Sequence, residues 1–258
     1  MKIGIIGTGN IASAVVTGFC EQKSGHEFFL SPRSADKAAA LAAKYSEAKV
    51  CKSNQEVLDN ADWVFISLHK KDFEAINELK FRKEHKVANM SAEMRLPDLK
   101  NRIGDTALLV HVIPLPMIVS GHGPLLVYPE IKEVGELFDS ISDVYYANDP
   151  KDVHTLQIVT GIMSAYYMFL NEVVKFSDEQ GIEHDLSVGF AHSLFSALSK
   201  RAADTPNCDL IELAHDMTPG GYNEQAMTEL LENGSIAAWR TALDRLLERL
   251  KKSSNQSS

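Results

Sequence analysis

The sequence has few cysteines, and they lie far apart. Cys20, Cys51 and Cys208 are odd in number among 258 residues and form no Cys-x-x-Cys pair. Disulfide-held secreted domains carry a dense, even set of cysteines, and structural zinc sites need close pairs. The sequence therefore argues against both classes and predicts reduced thiols in a cytoplasmic protein. No spacing of histidine, cysteine and carboxylate predicts a metal site.

Basic residues are scarce and long apolar runs are lacking. Lys and Arg total 26 against 35 Asp and Glu, a formal net charge of -9, whereas nucleic-acid-binding surfaces are basic. The longest apolar stretch, residues 107–119, contains His111, Pro114 and Pro116 and is shorter than a membrane span of about 20 residues. The N-terminus has no apolar core long enough for a signal peptide. We therefore expect neither nucleic acid nor membrane as a partner.

Strand and helix signals alternate through the first part of the chain. Short apolar runs predict strands at residues 2–7, 27–31, 49–51, 63–68, 86–90, 108–113 and 124–128. Such alternation is typical of a parallel, doubly wound sheet. From about residue 152 the pattern has only the 3.6-residue apolar spacing of helices. The prediction is an α/β Rossmann-type domain over residues 1–150, an all-α domain over 151–252 and a disordered tail over 253–258.

A glycine-rich turn directly follows the first predicted strand. Residues Gly7-Thr8-Gly9-Asn10-Ile11-Ala12 have the Gly-x-Gly-x-x-Ala spacing between an apolar strand and an Ala/Val-rich helix. In this setting the first glycine permits a tight turn, and the second lets a diphosphate approach the backbone. The free N–H groups at the helix N-terminus then bind the anion. The sequence thus predicts a dinucleotide site; the alternative is a glycine-rich turn without a ligand.

The end of the second predicted strand indicates which dinucleotide is bound. NAD sites place an acidic residue there, roughly 20 residues after the glycines, to hold the ribose 2′-hydroxyl. This segment has no carboxylate and offers Ser31, Arg33 and Ser34 instead. A guanidinium and two hydroxyls suit a 2′-phosphate, so we predict NADP(H) as the cofactor. The alternative is that Arg33 is a solvated loop charge and Ser34 only caps the next helix.

Five segments resemble pyrroline-5-carboxylate reductase, in the same order along nearly the whole chain. They are Gly7-Thr8-Gly9-Asn10-Ile11, Ser31-Pro32-Arg33-Ser34, Ser53-Asn54, Thr160-Gly161-Ile162-Met163-Ser164-Ala165-Tyr166 and Met217-Thr218-Pro219-Gly220-Gly221-Tyr222-Asn223. The last is the most specific, since it is similar to the Ser-Pro-Gly-Gly-Thr-Thr loop of that family's substrate site. The resemblance implies hydride transfer from NADPH to an imine carbon, which makes proline from 1-pyrroline-5-carboxylate.

The resemblance also implies which residues bind each reactant. For the cofactor they are Gly7, Gly9, Asn10, Ile11, Ser31, Arg33, Ser34, Asn54, Leu68, His69 and Pro114. For the substrate they are Gly220, Gly221, Tyr222, Asn223 and Tyr166, with Asn223 and Tyr222 as the catalytic candidates. His69 and His122 are candidate proton donors.

We expect the site in the cleft between the domains. The apolar faces of the helical half predict a homodimer or a higher homo-oligomer.

The departures from the family pattern lie where the substrate is expected. Leu115 and Pro116 replace an amide and a hydroxyl of the family's Met-Pro-Asn-Thr-Pro segment. Tyr222 and Asn223 replace the two threonines of the Gly-Gly-Thr-Thr loop. Two alternatives therefore stay open: a reductase of a different imine or a keto acid, and a catalytically inactive NADP-binding regulatory protein.

Overall fold

The structure is a computed structural model that describes residues 1–255; for residues 251 and 253–255 it describes the backbone alone. The chain divides into two compact units, the first Met1–His154 and the second beginning at Thr155. This division lies inside the helix Pro150–Val159. Within residues 1–255, no helix is both long and apolar enough to cross a bilayer.

The first unit contains one eight-stranded sheet. Its strands are β1 Lys2–Ile6, β2 Glu27–Leu30, β3 Ala48–Val50, β4 Trp63–Ile66, β5 Lys86–Asn89, β6 Leu108–Ile113, β7 Pro124–Tyr128 and β8 Asp143–Tyr146. They lie in the order β3-β2-β1-β4-β5-β6-β7-β8, and β1 to β6 run parallel. The order reverses between β1 and β4, so their carboxyl ends border the crevice where such sheets bind ligands.

Helices cover both faces of this sheet. They are α1 Asn10–Glu21, α2 Ala35–Lys44, α3 Asn54–Asn60, α4 Leu96–Ile103 and α5 Lys132–Phe138, with 3-10 helices at Lys70–Ile76 and Pro116–Ser120. One buried cluster packs α1, α2 and α5 on the sheet and includes Phe19 and Phe138. A second packs α3 and α4 and includes Val57 and Leu99. The predicted doubly wound, Rossmann-type architecture is confirmed.

One edge of the sheet differs from the predicted parallel arrangement. β7 runs antiparallel to β6, with His111 opposite Tyr128. β8 then pairs parallel to β7, and the sequence did not predict this strand. Its residues are mostly exposed, because an edge strand is not covered on every side. It therefore lacks the continuous apolar run that marks a buried parallel strand.

From Pro150 onward the described chain consists of helices and turns, as predicted. They are α6 Pro150–Val159, α7 Met163–Glu179, α8 His184–Asp204, α9 Leu210–His215, α10 Tyr222–Glu232 and α11 Ser235–Asn255, with a 3-10 helix at Thr160–Ile162. The 3-10 turn lies between α6 and α7, at the place where Gly161 lies against Leu246. The predicted disordered tail is wrong for residues 253–255, which continue α11, and residues 256–258 lie outside the described part.

The second unit has a small core. Leu170, Val174 and Ala191 are buried together where α7 packs on α8. Other large apolar side chains of these two helices are exposed within this chain. They are Tyr166, Tyr167, Met168, Phe169, Phe176, Leu186, Phe190, Leu194 and Leu198, called here the α7–α8 apolar face. Monomeric proteins seldom expose large contiguous apolar patches.

Candidate functional site

The glycine turn after β1 has the conformation that its sequence predicts. Gly7 has a φ of +94°, in the left-handed region, and a Cβ here would lie 2.2 Å from the Ser67 carbonyl oxygen. Glycine satisfies both constraints because it has no Cβ. The Gly7 N–H donates a hydrogen bond to Ser31 Oγ at 2.9 Å. This bond ties the turn to the end of β2.

Gly9 has the opposite environment. A Cβ added there would meet no described atom within 4 Å, so packing within the chain does not require a glycine. Gly9 is the N-cap of α1, and no side chain among the described residues caps this helix. The first turn of α1 therefore offers free N–H donors at the positive end of the helix dipole. A diphosphate fits this open turn.

The prediction of Ser31 as a 2′-phosphate ligand is wrong. Its side chain is buried, with 1% of the residue exposed. The hydroxyl accepts the Gly7 N–H and lies 3.3 Å from Thr8 Oγ1, which also bonds the Ser31 carbonyl. Ser31 is therefore a structural residue that holds the glycine turn in place.

Arg33 contacts a carboxylate that the sequence pattern did not single out. Its Nη2 lies 2.5 Å from Asp72 Oδ1, in the 3-10 helix that follows β4. Half of the Arg33 side chain is exposed, so the guanidinium is also accessible to a ligand. Ser34 is the N-cap of α2, but within the described residues its hydroxyl makes no capping hydrogen bond. Both stay candidates for the 2′-phosphate.

A second cation lies beside the glycine turn. Lys37 Nζ, on α2, donates to Asn10 Oδ1 at 2.5 Å, and Asn10 begins α1. Lys37 was not among the predicted site residues. Its position in the first turn of the helix that follows Arg33 and Ser34 was the available signal. Lys37 therefore adds a positive charge beside the glycine turn of a protein whose net charge is negative.

The other cofactor candidates lie after the carboxyl ends of parallel strands. Ile11 lies in the first turn of α1, Asn54 begins α3, Leu68 and His69 follow β4, and Pro114 follows β6. The chain is held locally at two of these points: Ser53 caps α3 by accepting the Glu56 N–H at 3.1 Å, and the Leu68 N–H donates to Ser91 Oγ at 2.8 Å. The predicted cofactor residues thus share one edge of the sheet.

The histidines near this edge differ in accessibility. His111, on β6, is buried, and its Nε2 has no hydrogen-bond partner among the described residues. Burial lowers the pKa of His111 to about 4, while a hydrogen bond with the Ser91 backbone acts in the opposite direction. His111 is therefore neutral near pH 7 and is no proton donor there. The two candidate proton donors, His69 and His122, are exposed.

The glycine turn before α10 lies where the sequence predicts it, but two of its N–H groups are already bonded. The Gly220 N–H donates to the Glu224 carboxylate, and the Gly221 N–H donates to the Thr218 carbonyl at 3.0 Å. In this structure these two N–H groups are therefore not open to a substrate carboxylate, and a role of Gly220 and Gly221 in substrate binding stays a prediction. Among the described residues no side chain caps α10. The first-turn N–H groups of α10 are the remaining anion donors.

The catalytic candidates are neighbours at the start of α10. Tyr222 is 90% exposed and Asn223 is also exposed, so both side chains are accessible within this chain. Tyr166 lies on α7, where its ring packs edge-on against Phe195 at a centroid distance of 6.4 Å. Tyr166 therefore has a packing role on α7, and any contact with substrate stays a prediction. No group of three or more metal-ligating side chains occurs in the described part of the chain.

Comparison with known proteins finds an NADP oxidoreductase family and several pyrroline-5-carboxylate reductases. Residues 2–91 match the family described as NADP oxidoreductase, coenzyme F420-dependent. The chain is 23% identical to the pyrroline-5-carboxylate reductase of Escherichia coli strain K12 over 264 residues, 97% of each protein. The solved pyrroline-5-carboxylate reductase of Streptococcus pyogenes has a TM-score of 0.83, with 22% identity over 98% of each chain. Plasmodium falciparum pyrroline carboxylate reductase, with NADP bound, has a TM-score of 0.82, with 17% identity over 96% of each chain.

The predicted resemblance to pyrroline-5-carboxylate reductases is confirmed. It extends over nearly the whole chain and includes the order of a Rossmann-type sheet followed by helices. The match of residues 2–91 bears out the prediction of an NADP-type oxidoreductase. The similar solved structures, all below 25% identity, establish the fold.

Proposed function

We propose that this protein reduces 1-pyrroline-5-carboxylate to L-proline with NADPH, a reaction of proline biosynthesis. The observation that carries the proposal is the presence of two motifs in the family's order. A dinucleotide turn with an open Gly9 lies in the first unit, and a Pro-Gly-Gly turn precedes α10 in the second. Similarity to pyrroline-5-carboxylate reductases over 97% of the chain supports this assignment.

The first unit binds the cofactor through charge and backbone donors. The N-terminus of α1 binds the diphosphate at Gly9, and Arg33 with Ser34 binds the 2′-phosphate. When bound, NADPH supplies the hydride that adds to the imine carbon, while the nitrogen takes up a proton. The chain itself needs to bind, orient and desolvate the reactants, because the reacting hydride is not held by any side chain.

The start of α10 binds the substrate. Its free first-turn N–H groups suit the substrate carboxylate. The Asn223 amide carries both a donor and an acceptor, so its oxygen can accept the N–H of a protonated imine. This contact stabilises positive charge on the nitrogen and thereby favours hydride addition at the adjacent carbon. Tyr222 lies next to Asn223 on the same turn.

The variant Asn223→Ala tests this role. We expect its turnover to fall by about 10² or more, as for removal of one polar group that stabilises a charged transition state. Its affinity for NADPH should change less than about twofold, because Asn223 holds the imine rather than the cofactor. Turnover is followed by NADPH absorbance with pyrroline-5-carboxylate, and binding by NADPH fluorescence. Asn171→Ala, on the exposed surface of α7, is the matched control. Unchanged turnover of Asn223→Ala would remove Asn223 from the mechanism.

A different imine or a keto acid is the second candidate substrate. It is favoured by Leu115 and Pro116, which offer no side-chain hydrogen bond, and by the bulk of the exposed Tyr222. The same assay on a panel of cyclic imines, acyclic imines and keto acids separates the two candidates. Tight NADPH binding without turnover on any of them would support the third alternative, an NADP-binding regulatory protein.

We also propose that the protein assembles as a homodimer or a higher homo-oligomer. The α7–α8 apolar face supports this, because a second copy of the chain would bury these side chains at a gain of roughly 25 cal/mol per Å² of apolar surface. The small core of the second unit supports it further, since few of its large apolar residues are buried within one chain.

A further inference from the structure

Arg33 and Asp72 form an ion pair whose two partners differ in exposure. Arg33 Nη2 lies 2.5 Å from Asp72 Oδ1. The Asp72 side chain is only 13% exposed, whereas that of Arg33 is 54% exposed. A carboxylate with so little access to water needs a counterion or hydrogen bonds. Arg33 supplies both to Asp72, and the rest of its guanidinium is accessible.

The pair lies at the candidate cofactor site. Arg33 follows β2 and Asp72 follows β4, and these two strands flank β1 in the sheet. Both segments leave the carboxyl edge, so their contact crosses that edge beside the end of β1, where the turn at Gly7 and Gly9 begins α1. This is the crevice at which the strand order reverses.

Asp72 supplies the acidic group that the β2 segment lacks. A guanidinium at this place suits the 2′-phosphate of NADP, and a carboxylate suits the 2′-hydroxyl of NAD. Here the two groups are paired, so the charge that attracts a 2′-phosphate is partly offset by a neighbouring anion. Among the described residues, Arg33 contacts Asp72 through one nitrogen. Its other N–H donors are therefore available to a ligand while the pair is intact.

We propose that Asp72 is a specificity-determining residue of the cofactor site, which lowers the preference for NADPH over NADH by offsetting the charge of Arg33. The proposal rests on the proposed dinucleotide site but does not depend on the identity of the reduced substrate. Asp72 acts through Arg33 and through repulsion of the 2′-phosphate. Removing the charge of Asp72 should therefore raise the affinity for NADPH and leave the affinity for NADH almost unchanged.

The experiment measures dissociation constants of the full-length protein for NADPH and NADH by fluorescence, at low salt. Asp72→Asn keeps the shape of the side chain and removes its charge. We expect NADPH to bind about five- to tenfold more tightly to this variant, the size expected for two charges about 4 Å apart when water screens them almost fully. NADH should change less than about twofold, and the gain should shrink at high salt. Asp72→Glu, which keeps the charge, should retain the wild-type ratio.

Two controls separate this effect from a change in folding or in total charge. Asp98→Asn removes the same charge from the exposed Arg95–Asp98 pair and should leave both constants unchanged. The NADPH-to-NADH ratio is taken within each variant, so a reduced folded fraction affects both ligands alike. The thermal midpoint of each variant is measured in parallel.

The outcomes are distinguishable. A ratio unchanged in Asp72→Asn, or changed equally by Asp98→Asn, would overturn the proposal. Arg33→Ala should weaken NADPH far more than NADH, and an equal loss for both would show that the 2′-phosphate is not bound at this pair and would also overturn it. If the wild-type protein binds neither dinucleotide, the proposed function fails as well. Binding with the expected ratios but without imine reduction leaves the role of Asp72 supported and the proposed reaction refuted.

Discussion

Replacing each glycine of the first turn with alanine should have opposite consequences. In Gly7→Ala, the new Cβ would lie 2.2 Å from the Ser67 carbonyl oxygen and 2.8 Å from Leu68 Cδ2, at a φ of +94°. A non-glycine residue at such a φ costs about 1–2 kcal/mol. The overpacking against a backbone atom costs about 1–3 kcal/mol more. We therefore expect the free energy of unfolding to fall by about 2–5 kcal/mol, a large part of the stability of a typical domain.

In Gly9→Ala, the fold should be almost unaffected. Gly9 has a φ of −87°, which alanine adopts, and its Cβ would meet no described atom within 4 Å. The free energy of unfolding should change by less than about 1 kcal/mol, with a small gain because alanine restricts the unfolded chain. The methyl group would occupy the space proposed for the diphosphate. An overpacked methyl costs about 1–3 kcal/mol, so NADPH affinity should fall about 10- to 100-fold.

Urea unfolding without ligand gives the stability of both variants, and NADPH fluorescence titration gives their affinities. The two variants should differ in which property they lose. Gly7→Ala should lose stability, and Gly9→Ala should lose affinity while keeping the wild-type urea midpoint. If Gly9→Ala binds NADPH as the wild type does, the diphosphate does not lie against this turn. If Gly9→Ala has a urea midpoint as low as that of Gly7→Ala, the inference that a Cβ fits at Gly9 is wrong.

Two further predictions concern stability and assembly. Burial lowers the pKa of His111 from 6.5 to about 4, so between these pH values His111 is neutral in the folded protein and protonated in the unfolded chain. The free energy of unfolding is therefore unaffected by His111 above about pH 6.5. It falls as the pH drops toward 4, by about 2 kcal/mol at pH 5. The difference between the urea midpoints at about pH 7.5 and pH 5 should therefore be smaller in His111→Leu than in the wild type. An equal difference in both proteins would contradict the lowered pKa of His111. Light scattering should give a multiple of the 28.5 kDa chain mass. Phe190→Glu should reduce that mass and Ser199→Glu, an equal charge change on α8, should not; a wild-type monomer would refute the proposed assembly.

The fold was predictable from sequence where a local pattern carried the information. Apolar runs marked β1, β2 and β4 to β7, because strands buried between two helical layers are apolar along their length. The edge strand β3 was also predicted, although two of its three residues are exposed. The edge strand β8 has no such run, since most of its residues are exposed. The antiparallel direction of β7 was also missed. A strand pattern has no direction, and the connection from β6 to β7 decides it.

The candidate site was predictable to a similar extent. The turn at Gly7 and Gly9 was identified because its glycine spacing between a strand and a helix has a mechanical reason at each position. Ser31 was assigned to the ligand because a hydroxyl near Arg33 suits a phosphate. In the structure that hydroxyl is buried and holds Gly7. Sequence spacing does not show whether a polar side chain points to a ligand or to a neighbouring backbone.

The sequence by itself determined the alternation of strands and helices, the glycine turn and the basic residue after β2. Each of these depends on residues within one or two turns or strands, so local chemistry is sufficient. Only the tertiary structure decided the partner of Arg33, since Asp72 is separated from it along the chain and follows a different strand. The sheet order places β2 and β4 on either side of β1. Asp72 therefore lies beside Arg33 in the folded protein, although the sequence around Asp72 does not indicate this contact.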